Sequence, residues 1–181
     1  MRITRARIQD VLILETPVFR DARGYFQETY RRDSLLEAGI DRDWKQDNIS
    51  VSAKHVIRGL HYQVGRPQAK LIRALHGSVF DVIVDIRHSS PTYGQHVTVE
   101  LSAGDGKAVF IPEGFAHGFA AMEPDTAFFY KVSEVFYPQG DRTILWNDAV
   151  IGITWPIAAT DAIVSDKDRS GIPFSKAEVF P

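Results

Sequence analysis

Apolar and polar residues alternate along much of the chain with the two-residue period of a half-buried β-strand. VTVELS (97–102) shows the period clearly, and FFYKVSEVFY (128–137) has the aromatic and β-branched content that favours strands. As a strand, VFDVIVDI (79–86) would have two different faces. One face carries Phe80, Val82, Val84 and Ile86, and the other carries Val79, Asp81, Ile83 and Asp85. VLIL (11–14) predicts a first strand. Short strands separated by turn residues indicate an all-β sandwich or barrel.

Helical signals are confined to one short segment. Ser34 and Glu37 have capping-box spacing, and Gly39 lies where a C-terminal cap would. A helix of two or three turns does not change the fold class. SDKDRSG (165–171) predicts a short helix or a loop. No composition shift marks a boundary, so the sequence predicts one domain over residues 1–181 with a looser tail from about residue 157.

Composition and charge narrow the classes of partner. The net charge of -2 supplies no positive field for nucleic acid or an anionic membrane. The chain has no Cys, which excludes disulfides and thiolate metal sites and is compatible with a cytoplasmic protein. VLIL is too short for a signal-peptide core or a membrane span. The sequence therefore predicts a cytoplasmic protein without a nucleic-acid or membrane partner.

Two of the six histidines lie beside glycines and aromatic residues, His61 in RGLHYQ and His117 in IPEGFAHGF. Such residues are either hydrogen-bonded structural groups or catalysts, and their spacing alone does not separate these readings. Metal-binding barrels usually present two His one residue apart, but Gln63 stands two positions after His61. A site of three His, with His55 as the third, stays open without a local motif.

Cations cluster on both sides of His61. They are Arg58, Arg66, Lys70 and Arg73, with Arg23 upstream. Lys70 begins the apolar run KLIRAL, so its ammonium either points into a barrel or lies on a solvated edge. In a barrel it would need a partner such as Asp81 or Asp85. Tyr130 is either a core residue or a proton donor, the latter if its face lines a pocket.

Eight segments in order carry a resemblance to one family. They are FRDARGYFQETY, QDNISVSAKHVIRGLHYQ, AKLIRALHGSVFDVIVDIRHSSPTYG, IPEGFAHGF, FFYKV, ILWND, ITWP and SDKD. Across residues 3–174 or so, the chain resembles the dTDP-4-dehydrorhamnose 3,5-epimerases. The resemblance implies a cupin jelly-roll barrel with short peripheral helices. It also implies a homodimer, a dTDP-sugar substrate and no metal or other cofactor.

The resemblance assigns roles residue by residue. It implies that His61 is the catalytic base with Asp168 as its dyad partner, that Tyr130 is the general acid, and that Lys70 stabilises an enolate. It implies substrate contacts from Arg23, Phe26, Glu28, Gln46, Asn48, Arg58, His117, Asp141 and Lys167. In the family, the segment around Arg23 and Glu28 typically completes the neighbouring subunit's site.

The implied chemistry needs these residue types. A ketone at carbon 4 acidifies the hydrogens on carbons 3 and 5, and a base of near-neutral pKa such as His can remove them. A fixed cation then stabilises the enolate oxygen. Inversion requires a second acid on the opposite face of the ring, a role that Tyr130 would fill. The reaction is a step of dTDP-rhamnose biosynthesis.

Two positions depart from the family pattern. Phe136 stands where a Tyr is common, with Tyr137 displaced by one residue, which in a strand would reverse its face. Asp141 stands where a Glu is usual. Phe136 keeps open a rival that inverts carbon 3 only. Gln63 argues against a metal-dependent cupin oxygenase or isomerase. The full set of acid, base, carboxylate and cation argues against a catalytically silent binding module.

Overall fold

A computed structural model describes residues 1–181 as fourteen strands, two short α-helices and two 3-10 turns. The strands are β1 (Arg2–Arg5), β2 (Leu12–Glu15), β3 (Val18–Asp21), β4 (Gly24–Gln27), β5 (Gln46–Ser52), β6 (Val56–Gln63), β7 (Lys70–His76), β8 (Ser78–Asp85), β9 (His96–Ser102), β10 (Lys107–Ile111), β11 (Phe115–Ala121), β12 (Thr126–Val132), β13 (Asp141–Thr143) and β14 (Ile163–Val164). The helices are α1 (Arg32–Glu37) and α2 (Asp166–Arg169), and the 3-10 turns are Pro138–Gly140 and Phe174–Lys176.

The strands form two main sheets that pack into a barrel. The first has the order β1-β2-β10-β7-β12-β5 and the second has the order β13-β6-β11-β8-β9, with β14 added in parallel to β6. All other pairings between these fourteen strands are antiparallel, and β3 and β4 form a separate hairpin. This architecture confirms the predicted all-β jelly roll with short helices at its edge.

Strand β8 shows why both faces of a barrel strand can be apolar. Val79 and Ile83 join the core between the sheets, whereas Val82 and Val84 belong to a second cluster that Phe174 covers from outside. In β8 the two-residue alternation therefore separates two buried faces, rather than one buried face and one face exposed to solvent. The sequence left open whether Asp81 and Asp85 point into the barrel or into solvent, and both are fully buried.

Helix α1 begins earlier than the capping-box spacing predicts. Arg31 is its N-cap and makes no side-chain capping bond, so Ser34 lies inside the helix. The C-terminal prediction is confirmed, because Gly39 has φ of +78° and the Ile40 N–H bonds to the Leu35 carbonyl. Leu35 and Ile40 pack on the outer face of the first sheet. Neither helix is long and apolar enough to cross a membrane.

Two strand predictions need correction. VLIL belongs to the second strand, because Arg2–Arg5 pairs with it as the first. FFYKVSEVFY is a strand only as far as Val132, after which the chain leaves the sheet. The segment from residue 157 contains only β14, α2 and one 3-10 turn, and it buries Ile157, Val164 and Phe174 against the barrel.

Candidate active site

A cavity of about 400 Å³ opens between the two sheets and is lined by side chains from both. Its size is typical of a small-molecule site. Nine residues singled out from the sequence line it: Gln46, Asn48, Arg58, His61, Lys70, His117, Tyr130, Asp141 and Lys167. The predicted residues are thus brought together from six strands and one helix.

Two glycines allow the strands that carry the histidines to approach closely. His61 on β6 pairs with His117 on β11. A Cβ on Gly59 would lie 2.5 Å from the Gly118 Cα, and one on Gly118 would lie 2.6 Å from the Arg58 carbonyl oxygen. Gly59 also has φ of +115°, which side chains rarely adopt. The RGLH and AHGF motifs therefore set the separation of the two imidazoles.

His61 forms a dyad with Asp168. Its Nε2 lies 2.6 Å from Asp168 Oδ1, and the carboxylate is 3% exposed. Helix α2 holds Asp168 through its cap, because the Ser165 hydroxyl accepts a bond from the Asp168 N–H. Burial acts to raise the pKa of Asp168, but its hydrogen bonds to His61, Gly59 and Ser165 outweigh burial, and the pKa lies below its usual value. An ionised Asp168 can only accept, so Nε2 of His61 carries a proton, and in the neutral imidazole Nδ1 then keeps a lone pair.

Lys70 supplies a cation with a perturbed pKa. Burial lowers its pKa to about 8, although the charges of Asp81 and Asp141 oppose the shift. Its Nζ donates to the His61 carbonyl at 3.3 Å. Of the two alternatives that the sequence left open for Lys70, the structure has the barrel interior, where the charge of Asp81 acts on it. Asp85 is not its partner, because that carboxylate binds Arg87 at 2.7 Å.

His117 and Asp81 form a second buried pair. Nε2 of His117 lies 2.6 Å from Asp81 Oδ1, and Asp81 Oδ2 has no hydrogen-bond partner. Burial raises the pKa of Asp81 and lowers that of His117, in each case against the attraction of the partner. Burial thus favours the neutral imidazole of His117, which leaves Lys70, on the first sheet, as the cation next to this pair.

Tyr130 reaches the cavity from the opposite sheet. It lies on β12, between Ile72 of β7 and Asn48 of β5 in register. Its ring packs against the core residue Phe128, and its hydroxyl makes no hydrogen bond within the protein. The condition set from the sequence, that this face must line a pocket, is met. Because His61 belongs to the second sheet and Tyr130 to the first, the two groups approach the cavity from opposite walls.

Polar groups of fixed orientation surround the rest of the cavity. Gln46 donates to the Asn48 side-chain oxygen at 2.7 Å, which leaves the Asn48 amide hydrogens without a protein acceptor. Arg58 is held at Nε by the Ser52 hydroxyl, 3.1 Å away. These orientations turn donors towards the space that an anionic ligand would fill.

Asp141 and Lys167 form an ion pair at the rim. Asp141 lies on β13 opposite Gln63, and Lys167 lies on α2 next to Asp168. The charge of Lys167 is therefore already partnered, although its side chain is half exposed. Both residues are well placed to contact a ligand that extends out of the cavity.

Three predicted substrate residues lie outside this cavity. Arg23 follows β3 and pairs with Asp21 at 2.5 Å, and Glu28 pairs with Arg31 at 2.5 Å. The Phe26 ring on β4 is 70% exposed and lines a separate surface groove with Arg23. A single chain does not bring these residues to its own catalytic groups.

Other cavity residues were missed from the sequence. Gln63, Gln68, Phe119 and Val132 line the cavity. Because side chains alternate along a strand, Gln63 lies on the same inward face of β6 as His61, so its place in the cavity could have been predicted from the sequence. The sequence holds no such signal for the other residues, because their place depends on how the strands pair.

The strand argument about Phe136 and Tyr137 was wrong. Residues 134–137 are not a strand, so neighbouring side chains need not alternate between faces. Phe136 lines the cavity, whereas the Tyr137 ring lies beneath the Arg66 guanidinium, 4.9 Å from it. The aromatic ring at position 136 is thus retained in the cavity, and only a hydroxyl is missing relative to a Tyr.

The histidines do not assemble a metal site. No group of three or more His, Asp or Glu side chains is arranged to hold a metal ion. His61 and His117 each direct Nε2 to a carboxylate, and His55 lies in the turn that leads into β6.

Fold and site together define a jelly-roll protein whose cavity has a His–Asp pair on one wall and a tyrosine and a lysine on the other, groups suited to proton transfer. The family model for dTDP-4-dehydrorhamnose 3,5-epimerase matches residues 5–176. The dTDP-4-dehydrorhamnose 3,5-epimerase of Pseudomonas aeruginosa is 45% identical over 182 residues, which cover 100% of both chains. The chain belongs to the dTDP-4-dehydrorhamnose 3,5-epimerase family.

Solved structures agree with this assignment. The dTDP-6-deoxy-D-glucose-3,5-epimerase of Legionella pneumophila, in complex with dTDP-4-keto-L-rhamnose, has a TM-score of 0.94 and 38% identity. It covers 98% of this chain, and 94% of its own length is matched. A 3′-monoepimerase from Streptomyces bikiniensis, in complex with dTDP-quinovose, has a TM-score of 0.87 and 29% identity over 94% of this chain and 87% of its own. Both kinds of enzyme share the fold, and the double epimerase is the more similar of these two.

Proposed function

We propose that the protein converts dTDP-4-dehydro-6-deoxy-D-glucose to dTDP-4-dehydro-L-rhamnose by inverting carbons 3 and 5. The reaction is a step of dTDP-rhamnose biosynthesis. The observation that carries the proposal is the placement of His61 and Tyr130 on opposite walls of one cavity. Inversion requires removal of a proton from one face of a ring and delivery to the other, and this cavity has a candidate group for each task.

His61 is the base of the proposed mechanism. Its Nδ1 lone pair removes the hydrogen from carbon 3 or carbon 5, while Nε2 keeps its bond to Asp168. The developing imidazolium then faces a carboxylate whose pKa lies below its usual value, so the ion pair is favoured without a second proton transfer. Asp168 acts by orienting the ring and stabilising its charge.

Lys70 stabilises the enolate that results. The negative charge collects on the oxygen at carbon 4, and a protonated Lys70 next to it lowers the barrier because this interaction is strongest when the charge has formed. His117 lines the same cavity from the second sheet and contributes a second polar contact. Tyr130 then donates its hydroxyl proton to the opposite face; solvent restores that proton, and His61 releases to solvent the proton that it removed.

The remaining polar residues bind the nucleotide part of the substrate. Arg58, Asn48 and Gln46 offer oriented donors suited to phosphate oxygens, and Lys167 with Asp141 contacts the ligand at the rim. None of these roles calls for a metal or a redox cofactor. The cytoplasmic location stays a prediction.

The proposed enzyme is a homodimer whose subunits complete each other's sites. Arg23, Phe26 and Glu28 lie on a projecting hairpin and its exit, away from their own cavity. Exposed apolar side chains on the hairpin and on the edge strand β5, namely Phe19, Phe26, Ile49 and Val51, offer a surface for a second copy. Insertion of the hairpin into the partner would place its Arg and Glu beside the partner's substrate.

Mixing two inactive variants tests this arrangement. In a dimer of one Arg23→Ala chain and one His61→Ala chain, one site retains both groups, so a mixture of the variants recovers up to about one quarter of the normal activity. If each chain completes its own site, the mixture stays inactive.

Isotope exchange tests the reaction itself. The protein is incubated with dTDP-4-dehydro-6-deoxy-D-glucose in deuterium oxide, and product mass and configuration are measured. The proposal requires two deuterons in the inverted sugar. One deuteron, at carbon 3, would establish the mono-epimerase that Phe136 keeps open, and no exchange would refute both.

A further inference from the structure

The segment between β12 and the following 3-10 turn forms part of the cavity wall without belonging to a sheet. In this segment, residues 134–137, no backbone group of residues 134–136 bonds to another backbone group. Exposed polar backbone of this kind needs other partners to hold a fixed shape. Its position is therefore decided by side chains.

Three glutamines that line the cavity supply those partners. Gln68 donates to the Glu134 carbonyl at 2.7 Å, and Gln46 accepts from the Phe136 N–H at 2.9 Å. Gln63 donates to the Val135 carbonyl at 3.1 Å and accepts from the Tyr137 N–H at 2.8 Å. Four successive residues are thus each bound by a carboxamide.

Gln63 is the central member of this set. It is 4% exposed, and its Nε2 also donates to the Arg66 carbonyl at 2.6 Å. Two carbonyls at Nε2 and one N–H at Oε1 use both donors of the carboxamide and one of its two acceptor sites, and they fix its orientation. Gln63 consequently joins the loop after β6 to segment 134–137, and the stacking of Arg66 on Tyr137 reinforces that junction.

We propose that Gln63 is a positioning residue for substrate recognition, which holds the Phe136 ring in the cavity wall where it contacts the bound sugar nucleotide. The proposal rests on the proposed function, because it assumes the same ligand. Gln63 lies two residues after His61 on the inward face of β6. One strand thereby fixes both the base and the wall against which the substrate is held.

Replacement of Gln63 by Leu tests the proposal. The variant keeps the volume but leaves two carbonyls and one N–H without partners, so the segment can leave its place. We expect the KM for the nucleotide sugar to rise about 10-fold or more, with a smaller change in kcat, because His61, Tyr130 and Lys70 stay in place. Phe136→Ala should give a similar rise.

A double-mutant cycle distinguishes positioning from general stability. If Gln63 acts through Phe136, the Gln63→Leu/Phe136→Ala protein should have about the same KM as either single variant. Thr126→Val is the matched control. Thr126 is fully buried at the other end of β12, and the substitution removes its hydroxyl, which donates to the Glu123 carbonyl at 2.8 Å. Its melting temperature should fall while its KM stays unchanged.

Three outcomes would overturn the proposal. They are an unchanged KM in Gln63→Leu, multiplied effects in the double variant, or an unchanged KM in Phe136→Ala, which decides the matter even if Gln63→Leu fails to fold. Wild-type protein without epimerase activity would instead refute the proposed function. The proposal for Gln63 and the proposed function would therefore fail by different results, the first in the KM of the variants and the second in the activity of the wild-type protein.

Discussion

Lys70, the cation proposed to stabilise the enolate oxygen, predicts a specific dependence of the reaction rate on pH. Lys70 has a pKa of about 8 because burial disfavours its charged form. A Lys with a lowered pKa loses its proton as the pH rises through that value. Enolate stabilisation should therefore be present below about pH 8 and fade above it. Replacement by Arg, which stays protonated throughout this range, removes the titration while keeping the charge.

The size of the effect follows from that pKa. About nine tenths of Lys70 is protonated one unit below its pKa and about one tenth one unit above. If only the charged form supports enolisation, the rate at saturating substrate should fall about 10-fold from pH 7 to pH 9. Lys70→Met should lower it by about 100- to 1,000-fold at neutral pH, the usual loss on removing one oxyanion donor.

The assay should follow enolisation without inversion, so that Tyr130 does not contribute to the profile. We suggest the Tyr130→Phe background, with deuterium uptake into bound substrate measured by mass spectrometry across pH and corrected for exchange without enzyme. The Lys70→Arg/Tyr130→Phe protein should retain measurable exchange and show no decline centred near pH 8. An identical decline with Lys or Arg at position 70 would show that another group titrates, and the role given to Lys70 would be wrong.

Three further substitutions test the other roles. His61→Asn should reduce exchange by about 100- to 10,000-fold with the fold intact by circular dichroism, and activity near wild type would remove it as the base. Asp168→Asn should lower kcat and leave dTDP affinity nearly unchanged, since its contact is with His61; a loss confined to affinity would make it a binding residue. Tyr130→Phe should raise the ratio of deuterium uptake to inverted sugar, whereas equal losses of both would contradict opposite-face protonation.

Local pattern was sufficient for the strands that build the barrel. Alternation in β8 and β9 predicted both elements to within a residue, because side-chain direction reverses at each strand residue whatever the tertiary context. The turn glycine of α1 was also readable, since Gly39 adopts a backbone conformation that other residues rarely take. The start of that helix was not, because no side chain caps it.

The resemblance carried by RGLHYQ and SDKD proposed a dyad between residues far apart in sequence, and the fold brings them to 2.6 Å. Residues alone left Lys70 and Tyr130 undecided between solvent, core and cavity. Only the closed barrel resolved this, because the side that a strand presents to a cavity depends on the sheet opposite to it.

The sequence by itself determined an all-β chain, its family and the residue types available for proton transfer, since these depend on local periodicity and on motifs in order. Tertiary structure decided which groups share a cavity and which wall each occupies. It also ended the β12 strand at Val132, because Gln46, Gln63 and Gln68, from other parts of the chain, bind the next backbone groups. No local pattern records such bonds: their partners meet only after the sheets have packed.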